Sequence, residues 1–268
     1  MSDVETSSIG AATRVPSAPP EPLAAVSLRG VSKVYGSGRE GIVALDGIDL
    51  DIAPGEFVCV VGASGCGKST LLNLVAGLDR PTAGRVDVQG RTALMFQEAA
   101  LFPWLTVGGN VDLALKLRGV PRAERKDRVE SLLRIVRLEN FAGKRPHELS
   151  GGMRQRVALA RAFAQDAEVL LMDEPFGALD ALTRDILHDE LESLWADRSL
   201  TVLFVTHNVR EAARLGDRIV VLTSRPGRVT ANVDVAIDRP RTIESRAVSE
   251  LASDVIAQLR QEVRRHAH

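Results

Sequence analysis

Phe57-Val58-Cys59-Val60-Val61 is an unbroken apolar run that leads into Gly62-Ala63-Ser64-Gly65-Cys66-Gly67-Lys68-Ser69-Thr70. An apolar run without polar alternation reads as a strand buried on both faces, as in a parallel sheet. The apolar stretch Leu71 to Leu78 reads as a helix, so the glycine-rich segment is a strand-to-helix turn. In that setting its spacing is that of a phosphate-binding loop. Glycines let backbone amides curl around β- and γ-phosphates, and the helix N-terminus adds its positive end. Lys68 neutralises phosphate charge through hydrogen bonds worth about 1.5 to 3 kcal/mol each. Ser69 is placed to offer its hydroxyl to Mg²⁺. A glycine turn that merely packs tightly is the competing reading, and the match at every key position decides against it. Cys66 fills a slot that asks only for a small side chain, and it is not read as a nucleophile.

Working outward, 268 residues suffice for one large α/β domain, or for one domain with a smaller inserted lobe. Lys and Arg total 34 against 35 Asp and Glu, so no global field gathers nucleic acid or anionic lipid, and no nucleic-acid partner is expected. Cys59 and Cys66 form no metal-ligand or disulfide pattern, which suits a reducing compartment. No apolar run approaches the ~20 residues needed to cross a bilayer, and the N-terminus lacks a secretory pattern. Any membrane role is then expected from the cytoplasmic side, through partners.

Residues 1–24 are rich in Ser, Ala, Thr and Pro and are expected to be a disordered tail. Val26 to Ile52, broken by Gly36, Gly38 and Gly41, suggests a small antiparallel sheet. Between Gln97 and Arg161 the pattern is helical, over Val107 to Leu117, Arg122 to Val136 and Gly151 to Phe163. Buried-strand runs return at Val169 to Met172, Thr201 to Val205 and Ile219 to Leu222, the alternation of a wound sheet. Thr242 to Arg265 reads as a charged amphipathic helix.

The strand Val169 to Met172 ends in Asp173-Glu174-Pro175, and open α/β sheets bind ligands at the carboxyl ends of their strands. Alone, an acidic pair there is a solvated turn or a helix cap. With a phosphate loop upstream, Asp173 suits a Mg²⁺ shell and Glu174 suits activation of an attacking water. His147-Glu148-Leu149-Ser150-Gly151-Gly152-Met153-Arg154-Gln155-Arg156 opens another helix, with Ser150 as N-cap and two glycines exposing amides, which makes a second anion site.

Leu149-Ser150-Gly151-Gly152 followed by Arg154-Gln155-Arg156, ahead of an acidic-ended strand, resembles the signature of the ABC ATPases over Val26 to Ser224. The resemblance implies a P-loop NTPase core at 25–240. A small antiparallel β subdomain, a helical subdomain at about 98–163 and a helical extension at 241–268 complete the expected fold. It implies that two copies sandwich two ATP molecules, the signature of each completing the phosphate loop of the other. Tyr35 resembles the residue that stacks on adenine, a contact worth on the order of 1 kcal/mol, against an ordinary strand tyrosine. Gln97, after the strand Ala93 to Phe96, resembles the glutamine that reaches Mg²⁺ and the attacking water. Asp180, after Ala178-Leu179, resembles the dimer-seam aspartate, or is a plain helix cap. His207 resembles the switch histidine at the γ-phosphate. His147, His188, His266 and His268 lack such a setting and are expected to be solvated.

Gln97-Glu98-Ala99-Ala100-Leu101-Phe102-Pro103-Trp104-Leu105-Thr106-Val107 is similar to the stretch in importer ATPases for nitrate, taurine and alkanesulfonates. Pro226-Gly227-Arg228 and Arg239-Pro240-Arg241 are weaker likenesses to that group. The resemblance implies membrane permease subunits and, through them, a periplasmic or lipid-anchored substrate-binding protein. Leu101, Phe102, Trp104 and Leu105 are either core or the lining of a groove for a permease helix. The alternatives are an exporter ATPase with the same motifs and a soluble ABC ATPase of DNA repair or translation. The single phosphate loop and the lack of a long heptad run count against the second. An inactive nucleotide-binding regulator is disfavoured by Glu174 and His207.

Overall fold

The computed structural model describes residues 24–36 and 41–266, with side chains as far as Gln261. The expected tail at 1–24, apart from its last residue, and His268 lie outside the described residues, as does the His266 side chain. Two sheets organise the fold. Strands β1 (Val26–Tyr35), β2 (Ile42–Ile52) and β4 (Ala83–Val88) form an antiparallel sheet in the order β2-β1-β4. Between β2 and β4 run β3 (Phe57–Gly62) and helix α1 (Lys68–Val75). The second sheet has the order β5-β6-β7-β3-β8-β9, from β5 (Thr92–Met95), β6 (Val169–Asp173), β7 (Thr201–Val205), β8 (Arg218–Leu222) and β9 (Val229–Asp234). Its first five strands are parallel and β9 closes one edge antiparallel to β8.

Successive side chains of a strand face opposite sides, and β3 divides on that basis. Phe57, Cys59 and Val61 join one hydrophobic core, while Val58 and Val60 join the other with Leu71, Leu72 and Val75 of α1. Both faces are covered, so the sequence of β3 shows no polar alternation. Phe204 lies 5.8 Å from both Phe57 and Phe176, so an aromatic row joins β3, β7 and the segment after β6.

Helices α2 (Val107–Leu117), α3 (Arg122–Ile135) and α4 (Gly151–Phe163) lie between β5 and β6 in the chain. Val111, Leu115, Leu132, Leu133 and Leu159 contribute to the core they share with the sheet. Thr106 caps α2, its hydroxyl accepting from the Gly109 amide at 3.0 Å, a bond typically worth about 1 kcal/mol. Helix α5 (Ala181–Arg198) precedes β7, and α6 (Val209–Leu215) precedes β8. In α7 (Arg246–His266) the buried residues Val248, Ala252 and Val255 recur at helical spacing, the amphipathic pattern expected there.

Several boundaries differ from the sequence expectation. Helix α1 begins at Lys68 and stops at Val75 rather than at Leu78, because Gly77 adopts φ 70° and Leu78 lies out in solvent. A glycine in the left-handed region is a common way to end a helix. Strand β5 is shifted one residue earlier, which leaves Phe96 and Gln97 beyond its end. Strands β4 and β9 were not anticipated. Each is partly exposed along its length, so neither carries a buried apolar run. Among the described residues no helix is long and apolar enough to cross a membrane.

Candidate nucleotide site

The turn from β3 into α1 closes tightly. A Cβ on Gly62 would sit 2.6 Å from the Cys66 Sγ. One on Gly67, whose φ is 94°, would sit 2.7 Å from the Ala44 carbonyl oxygen and from a Leu45 methyl. Only glycine at these two positions lets the loop curl and lie against β2. Lys68 is buried and folds back, its Nζ donating to the Gly62 carbonyl at 2.9 Å and the Ala63 carbonyl at 3.3 Å. Its cation is thereby held inside the loop. Burial pushes the Cys66 thiol up, so it stays protonated and serves as packing. The loop opens onto a cavity of about 580 Å³. Ser64, Gly65, Gly67, Lys68, Ser69 and Thr70 form one wall, Ile42, Val43 and Ala44 of β2 another, and Gln97, Glu174, His207 and Arg225 the remainder.

Three of those residues come from distant parts of the chain. Gln97 follows β5, Glu174 follows β6 and His207 follows β7, and these strands are neighbours in the sheet. The Glu174 Oε2 lies 3.0 Å from the His207 Nδ1 and accepts from the Gln97 Nε2 at 3.4 Å. Glu174 has φ 46°, and its amide donates to the Val205 carbonyl at 2.9 Å, which ends β6 at the acid pair. Asp173 is buried, and burial raises its carboxyl above the usual range, while a hydrogen bond from Ser69 partly offsets this. Ser69 and Asp173 are hard oxygen donors of the kind Mg²⁺ takes beside substrate phosphates and water. Among the described residues no three His, Cys, Asp or Glu form a closed metal cage. The donor set therefore fits an ion that takes its remaining ligands from a nucleotide and water.

Other candidates lie off this cavity wall. Ser150 caps α4, its hydroxyl accepting from the Met153 amide at 3.2 Å. Gly152 packs on the loop before α5, where a Cβ would meet a Leu179 methyl at 2.9 Å, and a Cβ on Gly151 would meet nothing closer than 3.9 Å. Asp180 caps α5, accepting from the Thr183 amide at 2.9 Å. Tyr35 is 41 % exposed, its hydroxyl donates to Asp79 at 3.2 Å, and the Lys33 ammonium stands 4.9 Å above its ring.

Sequence reasoning missed Gln155. Its Nε2 donates to the Gln97 carbonyl at 3.3 Å and its Oε1 accepts from the Ala178 amide at 3.2 Å, so one buried amide ties α4 to both loops. The signal was a polar residue on the apolar face that includes Ala158, Leu159 and Ala162. His188 corrects an expectation: it is fully buried rather than solvated. An Arg214 N–H donates to its Nδ1 at 2.9 Å, so the Nε2 carries the proton toward Glu211, 2.8 Å away. The other Glu211 oxygen accepts from the Thr206 hydroxyl, and Thr206 is the neighbour of His207. Glu211→Ala leaves the buried His188 Nε2–H and Thr206 hydroxyl without their acceptor, and it is expected to lower stability by about 3 kcal/mol. Chemical denaturation checks this, and a loss below about 1 kcal/mol would contradict the coupling.

A family profile described as ABC transporter matches residues 45–177. The taurine import ATP-binding protein of Rhizobium johnstonii is 45 % identical over 88 % of this chain and 94 % of its own. The chain belongs to the ABC transporter ATPases. The nitrate import ATP-binding protein of a Synechocystis species is 46 % identical over 76 % of this chain and 80 % of its own. A solved dimer of an ATP-binding cassette, in a post-hydrolysis state bound to ADP and Pi, matches with a TM-score of 0.73 and 36 % identity, over 80 % of this chain and 100 % of that one. This ABC ATPase thus has a P-loop NTPase fold and hydrolyses ATP to ADP and phosphate.

Proposed function

We propose that this ATPase drives a membrane importer for a small anion of the nitrate, taurine or alkanesulfonate kind, from the cytoplasmic face of the membrane. It would work as a pair of identical subunits beneath the permease, with a substrate-binding protein on the other side. The relatives named for taurine and nitrate import support the substrate class.

In this reading the loop amides and Lys68 hold the phosphate chain, and Tyr35 receives the adenine. Glu174 takes a proton from the water that attacks the γ-phosphate, and it passes that proton on to the phosphate released. Gln97 and His207, both bonded to the same carboxylate oxygen, hold Glu174 and that water in line. A bound Mg²⁺, held by Ser69, Asp173 and Gln97, would supply charge neutralisation for the phosphates. Ser150, Gly151, Gly152 and Asp180 are assigned to the seam with the second subunit, since none of them lines the cavity of its own chain. The regions at 25–240, about 98–163 and 241–268 are assigned as the ATPase domain, its helical subdomain and a helical extension.

The observation that carries the transport reading is an open apolar groove of about 800 Å³ beside Gln97. Phe96, Phe102, Leu94, Leu113, Leu117 and Leu78 line it, and Leu117 is 80 % exposed. Phe96 precedes Gln97 in the chain, so a displaced groove wall moves a residue bonded to Glu174. A short apolar helix of a permease fits such a groove. Leu101 packs on the core and Phe102 faces the groove, while Trp104 is 68 % exposed with its ring 5.4 Å from that of Phe102. The Phe102 backbone is anchored to the buried Asn110 side chain, at 2.8 and 3.3 Å. Phe102→Glu and Trp104→Glu are therefore expected to keep melting temperature and ATP binding while losing co-purification with the permease and substrate uptake. A variant that assembles and transports normally would remove the groove from the mechanism. Unfolding would show that these side chains support the fold rather than a partner.

A further inference from the structure

The turn between β8 and β9 is pressed against the phosphate loop. The Gly227 amide donates to the Ala44 carbonyl at 3.0 Å, and the Asp46 amide donates to the Gly227 carbonyl at 3.0 Å. A Cβ on Gly227 would lie 2.2 Å from the Cys66 carbonyl oxygen, so this glycine is what allows the turn to touch the loop. The Thr223 hydroxyl donates to the Pro226 carbonyl at 2.6 Å and accepts from the Arg228 amide at 2.8 Å, which closes the turn on itself. An ion pair from Arg228 to Asp46 fastens it to β2.

Arg225 stands at the tip of this turn. Its φ of 26° is one that an L residue keeps only where its surroundings hold it. Along the same stretch of chain, Arg218, Arg228, Arg239 and Arg241 all bind carboxylates or carbonyls. Among the described residues the Arg225 guanidinium has no such partner. It lines the same cavity as Lys68, and a Cβ on Gly65 would sit 2.9 Å from its Nη2. A guanidinium free of protein anions at the wall of a polyanion site is placed to take that anion, because its planar fork matches phosphate oxygens.

We infer that Arg225 is a second cation of the nucleotide site, binding phosphate oxygens that ATP and ADP have in common. The inference rests on reading this cavity as the nucleotide site. Its approach is to the loop at Gly65, whereas Glu174, Gln97 and His207 are bonded together around the position of hydrolysis. Lys68 sits within the loop and Arg225 on its outer wall, so the two cations act on the phosphate chain from different sides.

The test is the affinity of the full chain, carrying Arg225→Ala or Arg225→Lys, for Mg-ATP and Mg-ADP at two salt concentrations, beside melting without nucleotide. Arg225→Ala is expected to weaken both nucleotides about tenfold and to flatten the salt dependence. Arg225→Lys is expected to recover part of the loss, with melting unchanged in both. Equal affinities for parent and Arg225→Ala would overturn the inference, as would a loss confined to ATP. A loss that accompanies a lower melting temperature and is not recovered by lysine would assign Arg225 to the turn instead. Lys68→Ala separates the two readings: if it too binds nucleotide like the parent, the cavity is not the nucleotide site, and if it alone fails, only the role of Arg225 is lost.

Discussion

Glu174→Gln is expected to bind ATP within a few-fold of the parent and to hydrolyse it at least about a hundredfold more slowly. The substitution keeps the shape of the side chain and an oxygen that accepts from Gln97, so the wall of the cavity is preserved. It removes the carboxylate in contact with both Gln97 and His207, and with it the group that takes a proton from water. Lys68, Ser69 and the loop amides are untouched, so affinity does not follow turnover down. A coupled assay for phosphate release and a direct binding titration separate the two quantities. Turnover at the parental rate would remove Glu174 from the chemistry.

The second large effect is expected from mixing two inactive variants. Lys68→Ala removes the cation inside the loop and, at about 1.5 to 3 kcal/mol per charge-assisted bond, is expected to weaken ATP binding about ten- to a hundredfold. Ser150→Arg leaves that loop alone, since Ser150 does not line the cavity of its own chain. It puts a bulky cation where α4 offers its amides, and it is expected to abolish turnover while ATP still binds. If sites are shared between subunits, a mixed pair has one site with both lesions and one with neither. Turnover should then reappear on mixing. A mixture no more active than its parts, or either variant active alone, would contradict the shared site.

The glycine-rich loop, the acid pair and His207 were legible as candidates because each is a short string at the end of an apolar run. Buried parallel strands announce themselves that way, and their carboxyl ends are where an open sheet binds ligands. The contacts among Gln97, Glu174 and His207 depend on the strand order β5-β6-β7, which the sequence does not state. Gln155 and the pair His188–Glu211 were missed for a different reason. Polar side chains buried on helices α4, α5 and α6 look solvated until their partners are known, and those partners lie on other elements. Strands β4 and β9 escaped because each is half exposed at an edge, and their pairing with β1 and β8 is what makes them strands. The groove was undecided in sequence, since Leu101 and Phe102 are alike in composition and differ only in which way each turns from the chain.

The shared site requires two copies of the chain to close over ATP, and the mass of Glu174→Gln in solution tests this most directly. By sedimentation with saturating Mg-ATP the variant is expected to run at twice the mass of one chain, and to return to the single mass with Mg-ADP or when Ser150→Arg is added to it. A single mass at saturating ATP, with nucleotide binding verified in the same sample, would contradict the shared site.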